Sequence, residues 1–203
     1  MPKVICIGRN YAEHAKELGN DVPESPVIFL KPETAILQKN KPFYIPNFSK
    51  EIQYECEMLV RIERVGKNIT EKFAHKYYSQ ISLGIDFTAR DLQLKLKEKG
   101  LPWEISKGFD NSAVIGKWLE KSAFNLNNLN FQLDINGQTR QIGNTQNMLF
   151  NINQIIAHIS QYYTLKIGDI IFTGTPAGVG SVNINDNLIG LLENQEVFNF
   201  NCK

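Results

Sequence analysis

With 203 residues, 42% of them hydrophobic and 21% charged, the chain carries enough apolar material for one sizeable core, and a single domain over 1–203 is expected. Its 22 basic and 21 acidic residues leave a net charge of +1 with no basic run or stripe, so nucleic acid and anionic membrane are not expected partners; small molecules or a second copy of the chain are. No run approaches the ~20 apolar residues of a membrane span, nothing reads as a signal peptide, and three widely spaced cysteines fit reduced thiols, so a cytoplasmic protein is expected.

In chain order, a first strand ends near Gly8, and Asn10 is placed to cap a short helix from Tyr11 to Leu18, with Glu13 at the third helical position and Gly19 just past the end. His14 and Glu17 are three apart on that helix. They share a face, and the carboxylate can accept a ring N–H and fix the tautomer; a surface His beside a surface Glu is the plainer alternative. Val27 to Leu30 reads as a strand, followed by irregular connections at Pro32, Pro42 and Pro46.

The next strand, Gln53 to Ile62, alternates. Tyr54, Cys56, Met58, Val60 and Ile62 take one face, and Glu55 and Glu57 project together from the other. Two such carboxylates are either an ordinary solvated strand face or a pair held together by a cation. Thr70 to Gln80 reads as a helix with Phe73 and Tyr77 as a buried stripe, and His75 on it is solvated. In the strand-like run Ile81 to Thr88, Ile81, Leu83, Ile85 and Phe87 alternate inward and Asp86 faces the other way. Three carboxylates, with Cys56 turned to the core face and no His beside them, suit a hard cation, Mg²⁺ or Mn²⁺, better than Zn²⁺.

A helix is expected from Ala89 to Lys99, closed by Gly100, with Arg90 and Gln93 on one face. Leu129 to Arg140 alternates around Asn136-Gly137, a hairpin signal, and Ile152, Ile155, Ile156 and Ile159 form a helical stripe. From Ile170 short strands return between Gly, Pro and Asn. The pattern is α+β and β-rich, without the regular alternation of a doubly wound sheet. The Gly174 to Gly180 stretch should be a tight turn, and it lacks the spacing of a nucleotide-binding loop.

Six blocks then stand in one family's order: Ile7 to His14, Phe29-Leu30-Lys31-Pro32, Tyr54-Glu55-Cys56-Glu57, Asp86 to Asp91, Gly100-Leu101-Pro102-Trp103 through Ser106-Lys107, and Gly168 to Gly180. By these blocks the chain resembles the fumarylacetoacetate hydrolase family, in particular its short single-domain acylpyruvate hydrolases. The resemblance implies a mixed β-sheet rolled on itself with flanking helices, paired as a homodimer. It implies Glu55, Glu57 and Asp86 as ligands of Mg²⁺ or Mn²⁺, and His14 with Glu17 as the dyad that orients water, on a segment that closes over ligand. It implies Lys107 as the holder of developing negative charge, and Arg9, Arg90, Gln93 and Thr175 as substrate contacts. The implied reaction is C–C hydrolysis of a 3-acylpyruvate, such as acetylpyruvate or fumarylpyruvate, to pyruvate and a carboxylic acid. Decarboxylation or keto–enol tautomerisation of oxaloacetate at the same site is the alternative.

Overall fold

A computed structural model describes every residue except 1, 18, 20 and 40. The chain runs through strand β1 (Val4–Gly8), helix α1 (Ala12–Glu17), β2 (Val27–Lys31), β3 (Ile52–Tyr54), β4 (Cys56–Ile62), α2 (Glu71–Ala74), β5 (Tyr78–Asp86) and β6 (Thr88–Ala89). Helices α3 (Arg90–Glu98) and α4 (Glu104–Lys107) follow, then β7 (Ala113–Ile115), β8 (Leu119–Glu120), β9 (Asn130–Ile135) and β10 (Gln138–Asn144). Helix α5 (Ile152–Tyr162) leads into β11 (Ile170–Phe172), β12 (Gly180–Ser181), β13 (Asn187–Leu192) and β14 (Gln195–Asn201). This is the strand-rich α+β fold expected.

The largest sheet has the order β2-β1-β11-β4-β5-β7, with β8 also on β5, and it curls into a half-barrel. It is mixed: β1 and β11 run parallel, and its other strand pairs are antiparallel. One face carries Ile5, Ile7, Cys56, Met58, Val60, Ile81, Leu83 and Ile85 into the main core, which α5 and the sheet β10-β9-β13-β14 complete. The opposite face carries a smaller cluster of Val4, Cys6, Leu59, Ile170 and Phe172. The three cysteines are buried and unbridged.

The expected Glu55 strand is interrupted. β3 belongs to a small sheet with β6 and β12, whereas β4 belongs to the large one, and Glu55 is the residue at the changeover. The pairing register is nevertheless continuous across the break: Gln53 stands opposite Thr88 and Cys56 opposite Ile85, and Asp86 donates its N–H to the Glu55 carbonyl at 2.8 Å. Glu55 therefore faces Asp86 across the ribbon, and Glu57 lies two residues farther along the same face. The hairpin at Asn136-Gly137 forms as expected, with φ of 53° and 75° at its two central residues.

Two local expectations are corrected. Between Thr70 and Gln80 only Glu71–Ala74 is helical, and Tyr78 already pairs with Ile62 in the β4–β5 ladder. Phe73 is 47% exposed, with the Lys76 ammonium 5.0 Å from its ring centroid. Ladder pairing of a β-prone segment outweighs local helical spacing. Asn10 does not cap α1 either. Its fully buried side chain donates to the carbonyls of Phe150 at 3.0 Å and Thr173 at 2.8 Å and accepts the Phe150 N–H at 2.8 Å. Three buried backbone groups claim the amide, which ties the end of β1 to the chain after β10 and after β11. Leu18, the expected last residue of α1, lies outside the described residues.

Asn10→Ala leaves those groups without partners, at a cost of about 1–3 kcal/mol for each group stranded without water. A fall in melting temperature of at least roughly 5 °C is expected by calorimetry. An unchanged melting temperature would mean that water replaces the clasp.

Candidate metal centre and active site

The two-residue spacing and the β4–β5 register bring Glu55, Glu57 and Asp86 together. One carboxylate oxygen from each lies within 4.8 Å of the others, and all three residues are buried. Three buried bases surround them. Lys107 Nζ donates to Glu55 Oε2 at 2.8 Å, Asp86 Oδ2 at 2.8 Å and Thr88 Oγ1 at 2.7 Å. Arg90 pairs with Glu55 and also donates to Gln53 and Gln93. Lys31 Nζ lies 2.8 Å from Asp86 Oδ1 and is held by Ser112 Oγ at 3.0 Å and by the Lys107 carbonyl.

The electrostatics separate the three acids. Burial pushes the Glu55 carboxyl up, but Lys107, then Arg90 and His14, outweigh it and hold the group well below the usual carboxylate range. Glu57 has no basic ion-pair partner among the described residues. Its Oε2 accepts the Gly174 N–H at 2.7 Å, and burial, with Asp86 and Glu55, pushes it well above the usual range. Asp86 Oδ1 meets only the Lys31 ammonium, 2.8 Å away, among the described residues, which leaves it a lone pair to spare. A buried carboxylate without a counter-charge and a second oxygen with a free lone pair, both facing Glu55, suit a hard divalent cation with oxygen ligands.

His14 is 5% exposed and its Nδ1 lies 3.0 Å from Glu17 Oε2. Glu17 in turn accepts the Gly178 N–H at 3.1 Å, which anchors α1 to the glycine-rich turn. Both glycines of that turn are required: Gly174 and Gly178 have φ of 99° and 96°, and an added Cβ would meet Asn10 Cβ at 2.6 Å and the Arg140 carbonyl at 2.7 Å. Thr175 Oγ1 donates to the Cys56 carbonyl and accepts from Gln141 Nε2, each at 2.9 Å.

Of the residues expected in the site, Arg9, His14, Glu55, Glu57, Arg90, Gln93, Lys107 and Thr175 line one cavity of about 30 Å³. Asp86 lies behind it, in contact with Lys107, and Glu17 reaches it through His14. A larger cavity of about 200 Å³ beside Tyr78, Thr145 and Asn153 has no charged side chain in its lining, which leaves the smaller one as the candidate site. The structure adds Lys31, Gln141 and Lys97. Lys31 is a strand-end lysine whose burial no spacing reveals, and Gln141 is turned inward at an irregularity in the β9–β10 ladder. Lys97 had a signal: it lies four residues after Gln93 and seven after Arg90, on the same helix face.

A family model for the fumarylacetoacetate hydrolase C-terminal domain matches residues 3–200. The chain belongs to the fumarylacetoacetate hydrolase family. It is 40% identical over 190 residues to the oxaloacetate tautomerase YcgM of Escherichia coli, covering 93% of this chain and 87% of that one. It is 43% identical over 182 residues to a mitochondrial oxaloacetate decarboxylase of Dictyostelium discoideum, covering 89% and 84%. The fumarylpyruvate hydrolase of Pseudomonas aeruginosa, solved with Mn²⁺ and pyruvate, superposes with a TM-score of 0.93 at 32% identity over 100% of this chain and 89% of that one. No helix of the described residues is long and apolar enough to cross a membrane.

Two measurements test this geometry. Saturating Mn²⁺ or Mg²⁺ should raise the melting temperature by roughly 5–10 °C at about a hundred times the dissociation constant, EDTA should reverse the rise, and Glu57→Gln should remove most of it. A wild-type protein indifferent to both ions would refute the cation site. The second concerns Lys97, whose ammonium is pushed down to about 8 by burial and then by Arg9, Arg90 and Lys107, with Glu55 opposing. Between pH ~8 and ~10.5 the unfolded chain binds a proton there that the folded chain lacks, so stability rises with pH through that window. Lys97→Met should accordingly melt above the wild type at pH 7 without ligand, and the difference should vanish by about pH 10.5.

Proposed function

We propose that this protein is a divalent-cation-dependent enzyme of 2-oxo acids whose principal reaction is the interconversion of keto and enol oxaloacetate. The observation that carries the reading is His14, a buried base oriented by Glu17, in the same cavity as a cluster of hard carboxylate ligands. The names of the tautomerase and decarboxylase relatives support oxaloacetate as the substrate. Glu55, Glu57 and Asp86 would hold the ion, which when bound polarises the 2-oxo oxygen and acidifies the neighbouring C–H.

The protein's own groups supply the proton transfer. Glu17 accepts the Nδ1 proton, so Nε2 of the neutral imidazole is the free base; it takes a proton from C3 and returns one to the enol oxygen or to carbon. Lys107 has all three donors engaged by Glu55, Asp86 and Thr88, so it acts on the reacting atoms through those carboxylates unless one of them releases it. Thr175, locked between Cys56 and Gln141, gives the cavity a fixed polar wall.

The second reading is hydrolysis of a 3-acylpyruvate, with the same histidine taking a proton from water. The oriented dyad and the likeness to a fumarylpyruvate hydrolase favour it. The deciding experiment starts from enol-oxaloacetate with Mg²⁺, following the keto form by coupled reduction to malate, and in parallel measures pyruvate released from acetylpyruvate. Fast, EDTA-sensitive formation of the keto form, lowered about 10²- to 10⁴-fold in His14→Ala, is expected. Pyruvate from acetylpyruvate without acceleration of the oxaloacetate equilibrium would transfer the assignment to hydrolysis.

A further inference from the structure

The charges around the cavity divide into two groups. Glu55 and Asp86 are paired with Lys31, Arg90 and Lys107, each of which touches at least one of them. Arg9 and Lys97 also line the cavity, yet neither has an ion-pair or hydrogen-bond partner among the described residues, and Arg9 Nε is buried without one.

Lys97 is held by stacking, and Arg9 stands on a constrained backbone. Arg9 sits between β1 and α1 at φ 59°, a left-handed conformation that is uncommon outside glycine and asparagine and tends to persist where surrounding structure or function demands it. Lys97 is on α3, on the face that carries Arg90 and Gln93, with its Nζ 5.4 Å from the centroid of the Trp103 ring, which also lines the cavity. That stacking directs a half-buried ammonium toward three like charges, a position that costs stability unless an anion joins it.

Building on the oxaloacetate reading, we infer that Lys97, backed by Arg9, forms a subsite for the second carboxylate of a four-carbon 2-oxo dicarboxylate and thereby confines the enzyme to proton transfer at C3. Glu55, Glu57 and Asp86 would hold the ion, which would supply Lewis-acid polarisation to the 2-oxo end of such a substrate, leaving its other carboxylate for Lys97 and Arg9. Oxaloacetate carries a second carboxylate at C4, which acetylpyruvate lacks, and neither cation has an ion-pair partner among the described residues.

The subsite also separates two reactions that share an intermediate. Tautomerisation removes a proton from C3 and leaves the C4 carboxylate charged. Decarboxylation breaks the C3–C4 bond, moves that electron pair onto C3 and the oxo oxygen, and releases neutral CO₂, after which C3 takes up a proton. Cations on the C4 carboxylate stabilise the charge that decarboxylation must withdraw, so they raise the barrier to losing CO₂ while leaving proton transfer almost untouched.

The test compares the full-length wild type, Lys97→Met and Lys97→Arg, each loaded with Mg²⁺. Three quantities are read: the KM and kcat for keto formation from enol-oxaloacetate, pyruvate released from oxaloacetate, and inhibition by pyruvate, which is oxaloacetate without its second carboxylate. In Lys97→Met the KM for oxaloacetate should rise 10- to 100-fold, as expected for loss of one charged partner. The inhibition constant for pyruvate should stay within twofold, and the ratio of pyruvate release to tautomerisation should increase. Lys97→Arg should restore the KM. Equal weakening of pyruvate and oxaloacetate, or no change in either, would overturn the subsite. A wild type that neither binds nor converts oxaloacetate would instead overturn the oxaloacetate reading on which the subsite rests.

Discussion

Three acids and three bases are buried around one point, and the rest of the structure is arranged so that they can be. An isolated carboxylate or ammonium taken out of water costs several kcal/mol even after relaxation, and pairing recovers that only with good geometry. Here Lys107 is triply engaged, Lys31 is gripped by Ser112 and backbone carbonyls, and Arg90 is braced by Gln53 and Gln93. Such a cluster is a poor way to gain stability, since well-packed apolar residues often do as well or better. Its placement at the edge of a cavity, with Glu57 left without a base, gives it a chemical purpose.

The sheets supply the rigidity that this requires. The ribbon of β3–β4 against β5–β6 changes sheets at Glu55 without losing register, so two acids from one strand and one from its neighbour are set by backbone pairing and not by loops. The opposite wall is made by the glycine turn after β11, which touches the acid cluster through the Gly174 N–H and the base dyad through the Gly178 N–H. One turn thus fixes the relation between the base on α1 and Glu57 on β4. Asn10 closes the same arrangement from behind through the carbonyl of Thr173, the residue before Gly174.

Legibility followed the range of the interaction. The alternation in Gln53 to Ile62, the Asn136-Gly137 turn and the isoleucine stripe of α5 are all local patterns; the last two became the elements they announce, and the first did so in two pieces, β3 and β4. Period-two geometry put Glu55, Glu57 and Asp86 on faces turned away from the core, but the connection 63–77 between β4 and β5, with α2 inside it, left their convergence open, and the family blocks supplied it. What the residues hid was decided at long range: Tyr78 is drawn into a ladder by Ile62, and the Asn10 amide is drawn away from its helix by Phe150 and Thr173. Lys31 and Gln141 likewise look like ordinary polar residues at a strand end and in a hairpin until the fold buries them. The family blocks compensated where single-residue chemistry stayed silent, for Lys107 and Thr175 above all.

Cys56 stands between Glu55 and Glu57 in the chain, yet its thiol belongs to the main core on the far side of the sheet. The pleat therefore does more than gather acids. It removes from the cavity the soft donor nearest in sequence to the carboxylates, the one that copper or cadmium would seek, and leaves the carboxylate oxygens and the His14 imidazole there. A slip of one residue in the pairing would exchange them, sending both acids into the hydrocarbon core and the sulfur into the cavity. The same apolar packing that keeps the strand in register thus keeps the thiol away from the carboxylates.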